Sequence, residues 1–358
     1  LNSLEWHLSK ADEVLPSLDS DSDEQLYLDL IEYLQGISKL PSDDHYQFLA
    51  LWVMHNFLWD KAQYTPILLF YAVAARGKTR TGKGLIYVCW RGVHVITLRE
   101  AHLIRLASNM KATLFIDVTN LQKKMERESS EDILLSRFEK GIKVPRATKP
   151  EAGAFQDTVY YDVFGPLLIS SNEPINHILE TRAVEINMPE TDRQFDDDVI
   201  PDRGRTLRAR LLAFRVRWLD RDLPAVKKPA KNRLGDILRP LLQVLVAIKG
   251  STDWFVNFVK NLEQKRRNEA SNTTEAVVVQ AIVDSKSEVA NNRLLLDVIT
   301  AKVNQDKPEK YRFSGVTIGK IISRLGFEKY SNGKKRGIIW DETLLTRLCE
   351  RYGLNMKE

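Results

Sequence analysis

The sequence predicts an α/β fold built around a phosphate-binding loop, with helical regions on both sides and a small helix-and-hairpin domain at the C-terminus. Three observations predict it. An apolar run, Ile67 to Val73, passes directly into Arg76-Gly77-Lys78-Thr79 and then into a helix-like segment from Arg80 to Trp90. Strand-like and helix-like segments alternate through residues 64–190, the pattern of a sheet covered by helices. Residues 275–354 read as helices followed by a basic hairpin.

Taken in order, residues 1–60 are expected to be helical, with apolar positions at three- and four-residue spacing in 25–34 and 46–59. Strands are expected at 67–73, 93–96, 113–117, 142–148, 158–164, 167–171 and 183–187. Helix returns at 205–218, 234–248 and 252–264, and the polar stretch 264–274 reads as a linker. These elements divide the chain into an N-terminal helical region (1–60), a core (61–190), a helical lid (191–263) and a C-terminal domain (275–358). In the last of these, Gly315 to Phe327 has the spacing of a short helix ended by glycine, and Asn332-Gly333 lies at a hairpin turn.

Composition narrows the function classes. A chain of 358 residues suggests two or three domains, and 43% hydrophobic residues supply sizeable cores. No apolar run approaches the ~20 residues of a membrane span, and the N-terminus has no signal-peptide pattern, so no membrane partner is expected. Cys89 and Cys349 lie far apart without metal spacing, which fits a reducing cytoplasm, and the histidines form no ligand pattern. The chain begins at Leu1 rather than Met, as expected of a piece of a longer protein. Net charge is +5. Arg203, Arg205, Arg208, Arg210, Arg215 and Arg217 fall together with no acid between them, and Lys334-Lys335-Arg336 form a second cluster. Such clusters suit nucleic acid or form solvated helix faces.

The loop carries the chemistry. Strand, tight turn, Gly-Lys-Thr and helix make backbone N–H groups and the positive end of a helix dipole converge on phosphate. Lys78 reaches the β- and γ-phosphates, and the Thr79 hydroxyl sits on Mg²⁺. Ala72 replaces the first glycine of the pattern, and Ala74 and Ala75 fill positions where glycine is roomier. A second register, Gly77 to Gly82-Lys83, lacks the hydroxyl and falls inside the expected helix. Asp117 ends an apolar strand, where it either holds the Mg²⁺ water shell or starts a turn. The next residue is Val118, where a glutamate would polarise water, so a carboxylate must come from elsewhere, with Glu126, Glu131 and Asp132 nearest in sequence. Asn172 ends a third apolar strand and either orients water or caps the turn before Pro174. Arg182 follows, as a transition-state cation for a neighbouring subunit or a surface salt bridge.

In this order the parts resemble an AAA+ ATPase. Segments 64–80, 113–117, 131–137, 160–174 (YYDVFGPLLISSNEP) and 181–189 (TRAVEINMP) resemble the helicase-like ATPase domain of phage-, plasmid- and island-encoded primase-helicase proteins. These are relatives of the minichromosome-maintenance and superfamily-three helicases. The resemblance covers roughly residues 50–250. It implies an α/β P-loop NTPase (AAA+) core that binds ATP with Mg²⁺ through Arg76, Gly77, Lys78 and Thr79, with Thr79 and Asp117 on the metal. It makes Asn172 the first sensor, Arg182 a finger or sensor, and Arg208 or Arg210 a second sensor on a lid helix. The hairpin before the Asn172 strand becomes a DNA grip carrying Lys143, Arg146 and Lys149, or remains an ordinary surface hairpin. The C-terminal domain becomes a winged helix with 316–325 in the groove and Lys334, Lys335 and Arg336 on the wing, or a protein-docking version of it.

The expected function is an ATP-driven DNA helicase motor of a mobile element on single-stranded or duplex DNA. An arginine acting in trans needs a head-to-tail interface, which closes into a ring, here a homo-hexamer. A primase or polymerase, linked or separate, is the further partner. The alternatives are a nucleotide-gated DNA-binding or loader protein with weak or no hydrolysis, and a metabolic kinase.

Overall fold

The computed structural model describes residues 9–148, 153, 156–333 and 335–354. The chain forms two compact units, Leu1–Phe258 and Val259–Glu358. The first opens with helices α1 (Ala11–Val14), α2 (Pro16–Ser20), α3 (Asp23–Gln35) and α4 (Asp43–Asn56). It continues with β1 (Ile67–Tyr71), α5 (Lys78–Val88), β2 (Val93–Val95), α6 (Glu100–Ile104), β3 (Leu114–Asp117), α7 (Leu121–Arg127) and α8 (Glu131–Ser136). Then come β4 (Lys143–Ala147), β5 (Thr158–Asp162), β6 (Leu167–Ser171), α9 (His177–Glu180), β7 (Ala183–Asn187), α10 (Arg205–Arg217), α11 (Asn232–Ala247) and the first residues of α12 (Asp253–Ser271), the helix within which the division between the units falls.

Five of these strands form a parallel sheet in the order β2-β3-β6-β1-β7. This is an α/β core of the P-loop type: the loop strand β1 lies inside the sheet and β6 separates it from β3. β1, β3 and β6 are apolar on both faces and buried, as a parallel sheet covered by helices requires. α4 is buried almost throughout from Tyr46 to Asn56 and secures the sheet's amino-terminal edge with polar groups. Trp52 Nε1 donates to the Pro66 carbonyl at 3.0 Å, Thr113 Oγ1 donates to Asn56 Oδ1 at 2.7 Å, and His55 Nε2 pairs with Thr65 Oγ1 at 2.9 Å. At the same edge Arg137 is fully buried, and its guanidinium donates to the carbonyls of Ala112, Val163 and Pro166 at 2.7, 3.0 and 2.8 Å. Ala112 and Pro166 lead into β3 and β6, so one cation fixes where both strands begin. β4 and β5 pair antiparallel as a separate hairpin.

The arginine-rich helix is an internal staple. Its apolar positions Leu207, Leu211, Phe214 and Trp218 are buried as the spacing predicts. Its cations meet acids of the N-terminal region: Arg205 pairs with Glu13 at the surface, and the less exposed Arg210 and Arg217 pair with Asp21 and Asp29 and with Asp23. Arg215 pairs with Asp60. The polar stretch expected as a linker is also corrected. α12 runs through it to Ser271, because its Glu, Gln, Lys and Arg residues favour helix and Gln264 bonds Asn268 one turn on at 2.8 Å. The break comes at Thr273, which caps the following helix.

The second unit continues with α13 (Thr274–Asp284), β8 (Arg293–Leu295), α14 (Leu296–Val303), α15 (Gly315–Leu325), β9 (Lys329–Ser331), β10 (Arg336–Ile339) and α16 (Glu342–Tyr352). Its sheet is antiparallel in the order β8-β10-β9, over a core that includes Ile282, Ile299, Ile318, Ile322 and Leu345. Among the described residues, no helix is long and apolar enough to cross a membrane.

Two expectations concern stability. A Cβ at Gly82 would lie 2.1 Å from the Phe115 ring, which is fully buried and stacked on His94 at 4.8 Å. Gly82→Ala should therefore lower the urea unfolding free energy by about 1–3 kcal/mol, despite alanine's better helix propensity. Burial holds His55 neutral, with its pKa pushed down from 6.5 to about 3. The unfolded chain then takes up a proton that the folded chain refuses once pH drops below 6.5. Stability is unaffected above that value and falls by up to about 1.4 kcal/mol per unit below it. Urea midpoints measured from pH 6.5 down to 5 should show this slope, and His55→Gln should remove it.

Candidate functional site

The sheet's carboxyl edge holds a cavity of about 650 Å³ lined by the β1–α5 loop, the end of β3 and the end of β6. Ligands of open α/β sheets bind at this edge. β1 ends at Tyr71, and the chain turns with Ala75 at φ 63° and Gly77 at φ 76° before α5 begins at Lys78. Left-handed backbone is free for Gly77 but costs Ala75 about 1–2 kcal/mol. The turn puts Gly77 at the helix N-cap, so the first register of the loop is the one at the strand–helix junction. Gly82 and Gly84 of the second lie inside α5, packed against Phe115 and Ile37.

Lys78 is buried, and its ammonium donates to the carbonyls of Ala72 at 2.7 Å and Val73 at 2.6 Å. Burial lowers its pKa and the nearby Asp117 opposes the shift. The Asp117 carboxyl is held below its usual range by His94 beside it, with hydrogen bonds from Thr79 and Ser170 adding to this and burial opposing it. His94 Nε2 stands 3.5 Å from Asp117 Oδ2, at the outer limit of such a contact, and forms no shorter bond among the described residues. Asp117 and Ser170 are direct partners in the β3–β6 register, and Ser171 is the partner of Tyr71 at the end of β1. β6 thus sets Asn172 between the phosphate loop and Asp117. Thr79 and Asp117 suit Mg²⁺, which takes one or two protein oxygens and fills its shell with phosphate and water. Arg76 lines the cavity and pairs with Glu190 at 2.8 Å. The set Arg76, Gly77, Lys78, Thr79, Asp117 and Asn172 lines one space, equipped to hold a metal-bound polyphosphate.

Other expected residues lie elsewhere. Arg182 precedes β7, and its carbonyl accepts from Ile67 N at 3.2 Å, at the sheet's amino-terminal edge. The length of β1, about 16 Å at ~3.3 Å per residue, separates it from the loop of its own chain. Its guanidinium donates to the Leu135 carbonyl and lies 4.5 Å from the Phe138 ring. Arg208 is corrected as a nucleotide sensor: it is buried and donates to the carbonyls of Tyr87 at 2.7 Å and Pro201 at 2.8 Å. It thus closes the far end of α5, opposite the phosphate loop. Arg210 is held by Asp21 and Asp29.

Arg146 is corrected as a free hairpin cation, since Asp132 accepts from both of its terminal nitrogens at 2.8 and 2.9 Å and Glu100 pairs with its Nε. Lys143 is exposed on the hairpin, and Lys335 and Arg336 are exposed at the β9–β10 turn, while Lys149 and Lys334 lie outside the described residues. Glu126 accepts from Gln122, Glu131 from Asn176 and Asp132 from Arg146, so all three acids nearest Val118 are engaged away from the cavity. Sequence reading passed over His94, Ser170 and Glu173. Strand register brings the first two to Asp117, which no local motif signals. Glu173 lines the cavity, and its place directly after Asn172 was the available signal.

No family model matches the chain, and no curated protein matches it. Among solved structures it is similar to the SCCmec type IV Cch active helicase, at 12% identity and TM-score 0.40, over 96% of this chain and 72% of that one. It is also similar to the apo C-terminal region of NrS-1, at 12% identity and TM-score 0.36, over 89% and 74%. A third is the Aeropyrum pernix ORC1 protein in complex with DNA, at 12% identity and TM-score 0.23, over 84% and 90%. Values this low leave the functional reading to the site's own geometry.

The loop register makes a direct expectation. Lys78→Ala should weaken equilibrium binding of Mg·ATP about 10- to 100-fold, the worth of a charged hydrogen bond to phosphate. Lys83→Ala, on α5 outside the cavity, should leave it nearly unchanged.

Proposed function

We propose that the chain is the ATP-driven motor of a DNA helicase, with an AAA+ core and a winged-helix second unit. The observation that carries this reading is the gathering of Lys78, Thr79, Asp117 and Asn172 around one cavity at the carboxyl edge of a parallel sheet. Each has a task in phosphoryl transfer from ATP to water. Lys78 leaves the Ala72 and Val73 carbonyls for the β- and γ-phosphates, where its charge counts for most in a poorly solvated loop. Thr79 and Asp117 would hold Mg²⁺, which would supply positive charge against the phosphate oxygens. Asn172 orients water at the γ-phosphate from between the two.

Work on DNA is supported by the second unit. Its helix, strand, two helices, hairpin and helix in chain order suit a winged helix, with α15 as the groove element and Lys335 and Arg336 on the wing beside Lys334. The β4–β5 hairpin, with Lys143 exposed, is the core's candidate for backbone contact, and Lys149, which follows β4 in sequence, belongs to the same reading. Arg182 cannot serve its own chain's loop across the length of β1, so its catalytic role is one in trans, within a ring that we infer to be a hexamer. We assign such a motor to replication of a mobile element, with a primase or polymerase as its functional partner. Val118 beside Asp117 favours the second reading, a nucleotide-gated DNA-binding or loader protein with weak hydrolysis.

ATPase activity with and without single-stranded DNA separates the two readings: the motor is stimulated by the strand, and the loader is slow in both cases. Arg182→Ala should keep ATP affinity and lose about 10³-fold in turnover, because the guanidinium acts on transition-state charge. Mixing it with Lys78→Ala subunits should restore activity above the sum of the two alone, since mixed interfaces contain intact pairs. Strictly additive activity in confirmed mixed assemblies rules out action in trans.

A further inference from the structure

We propose that Glu173 accepts the proton of the attacking water, supplying the carboxylate that Val118 cannot; this rests on the ATPase reading of the same site. Among the residues lining the cavity, the only carboxylates are Asp117 and Glu173. Asp117 is committed to Thr79, Ser170 and His94, the environment of a metal-holding acid. Among the described residues, no hydrogen bond or ion pair engages the Glu173 carboxylate, and Glu173, an exposed residue, lines the same cavity as Lys78 and Asn172.

The backbone at Glu173 is firmly placed. Ser171 Oγ donates to the Glu173 carbonyl at 2.6 Å and accepts from the Glu173 N–H at 3.1 Å, and Pro174 restricts the turn that follows. Ser171 is itself fixed to the end of β1 by register. Glu173 therefore stands on a braced turn, one residue past Asn172, between the strand that delivers the phosphate loop and the strand that delivers Asp117. A general base needs a rigid mount and a free lone pair beside the reacting phosphate, and Glu173 offers the first two at the cavity wall.

The step balances without a further reagent. The water oxygen forms a bond to the γ-phosphorus while the bond from that phosphorus to the β–γ bridging oxygen breaks. The electron pair stays on the β-phosphate of ADP. The water proton passes to the Glu173 carboxylate and from there to solvent, leaving ADP and inorganic phosphate.

The test measures Mg·ATP turnover with single-stranded DNA, equilibrium ATP binding and the Mg²⁺ half-saturation point on the full chain. The variants are Glu173→Gln, Glu173→Asp and the control Glu126→Gln, whose carboxylate lies outside the cavity. Glu173→Gln should lose about 10²- to 10³-fold in kcat, the usual worth of a positioned base, with ATP affinity and Mg²⁺ half-saturation within about twofold. Glu173→Asp should recover part of the loss, and Glu126→Gln should match the parent chain. A loss below about tenfold overturns the assignment, as does a Mg²⁺ half-saturation raised about tenfold or more, which makes Glu173 a metal ligand instead. If the parent chain itself binds ATP but shows no turnover, the motor reading falls and Glu173's role with it; turnover by both parent and Glu173→Gln removes Glu173 alone.

Discussion

One buried guanidinium sets the geometry on which the site depends. Arg137 is fully buried, burial pushes its pKa down to about 9, and it remains charged at neutral pH. Its two terminal nitrogens donate to the carbonyls that precede β3 and β6 and to Val163 between the hairpin and β6. Removing it would strand those acceptors at about 1–3 kcal/mol apiece. The functional weight is larger than that sum. Asp117 and Asn172 sit at the opposite ends of the two strands that Arg137 aligns, and a one-residue slip in a strand turns every side chain to the other face. The cation at one edge of the sheet therefore keeps a carboxylate and an amide in register at the other.

The carboxyl edge of the sheet is also electrostatically poised. The Lys78 ammonium is folded onto two carbonyls of its own loop, and burial makes its charge expensive to keep. A phosphate would relieve this, because it offers full negative charge where the loop offers only partial charge. Ala75 adds to the same account, holding a left-handed conformation that glycine would adopt freely. The loop is thus closed on itself and strained at one residue, the state that a bound phosphate would relieve in the proposed reading.

Much of this was legible in local sequence. The strands of the sheet fall within one or two residues of their expected limits because buried apolar runs bounded by turn residues have few other solutions. β1 stops at Tyr71 rather than Val73 because the loop needs the following residues, and Val73 is left exposed. The order of loop, Asp117 and Asn172 was readable for the same reason. What could not be read depends on partners remote in sequence. The acids that neutralise Arg210 and Arg217 precede them by 181 to 194 residues. Nothing near Arg146 in the hairpin announces that Asp132 and Glu100 will claim it. Arg208 looked like a nucleotide contact because helix periodicity gives a face but not the height at which that face meets α5. Glu173 was hidden by the opposite problem: its motif neighbour Asn172 drew the functional reading to itself.

The stapled arginine helix has a consequence for how the first unit meets a polyanion. Attraction of proteins to nucleic acid draws most of its salt dependence from counterions released when unpaired cations meet phosphates. Arg205, Arg210, Arg215 and Arg217 already hold carboxylates as their counterions, and those carboxylates belong to the same chain. They stay in place beside the guanidinium groups, so an approaching phosphate meets charges that are already paired and carboxylates that repel it. The most basic stretch of the sequence is therefore a weaker electrostatic footprint than its run of arginines suggests.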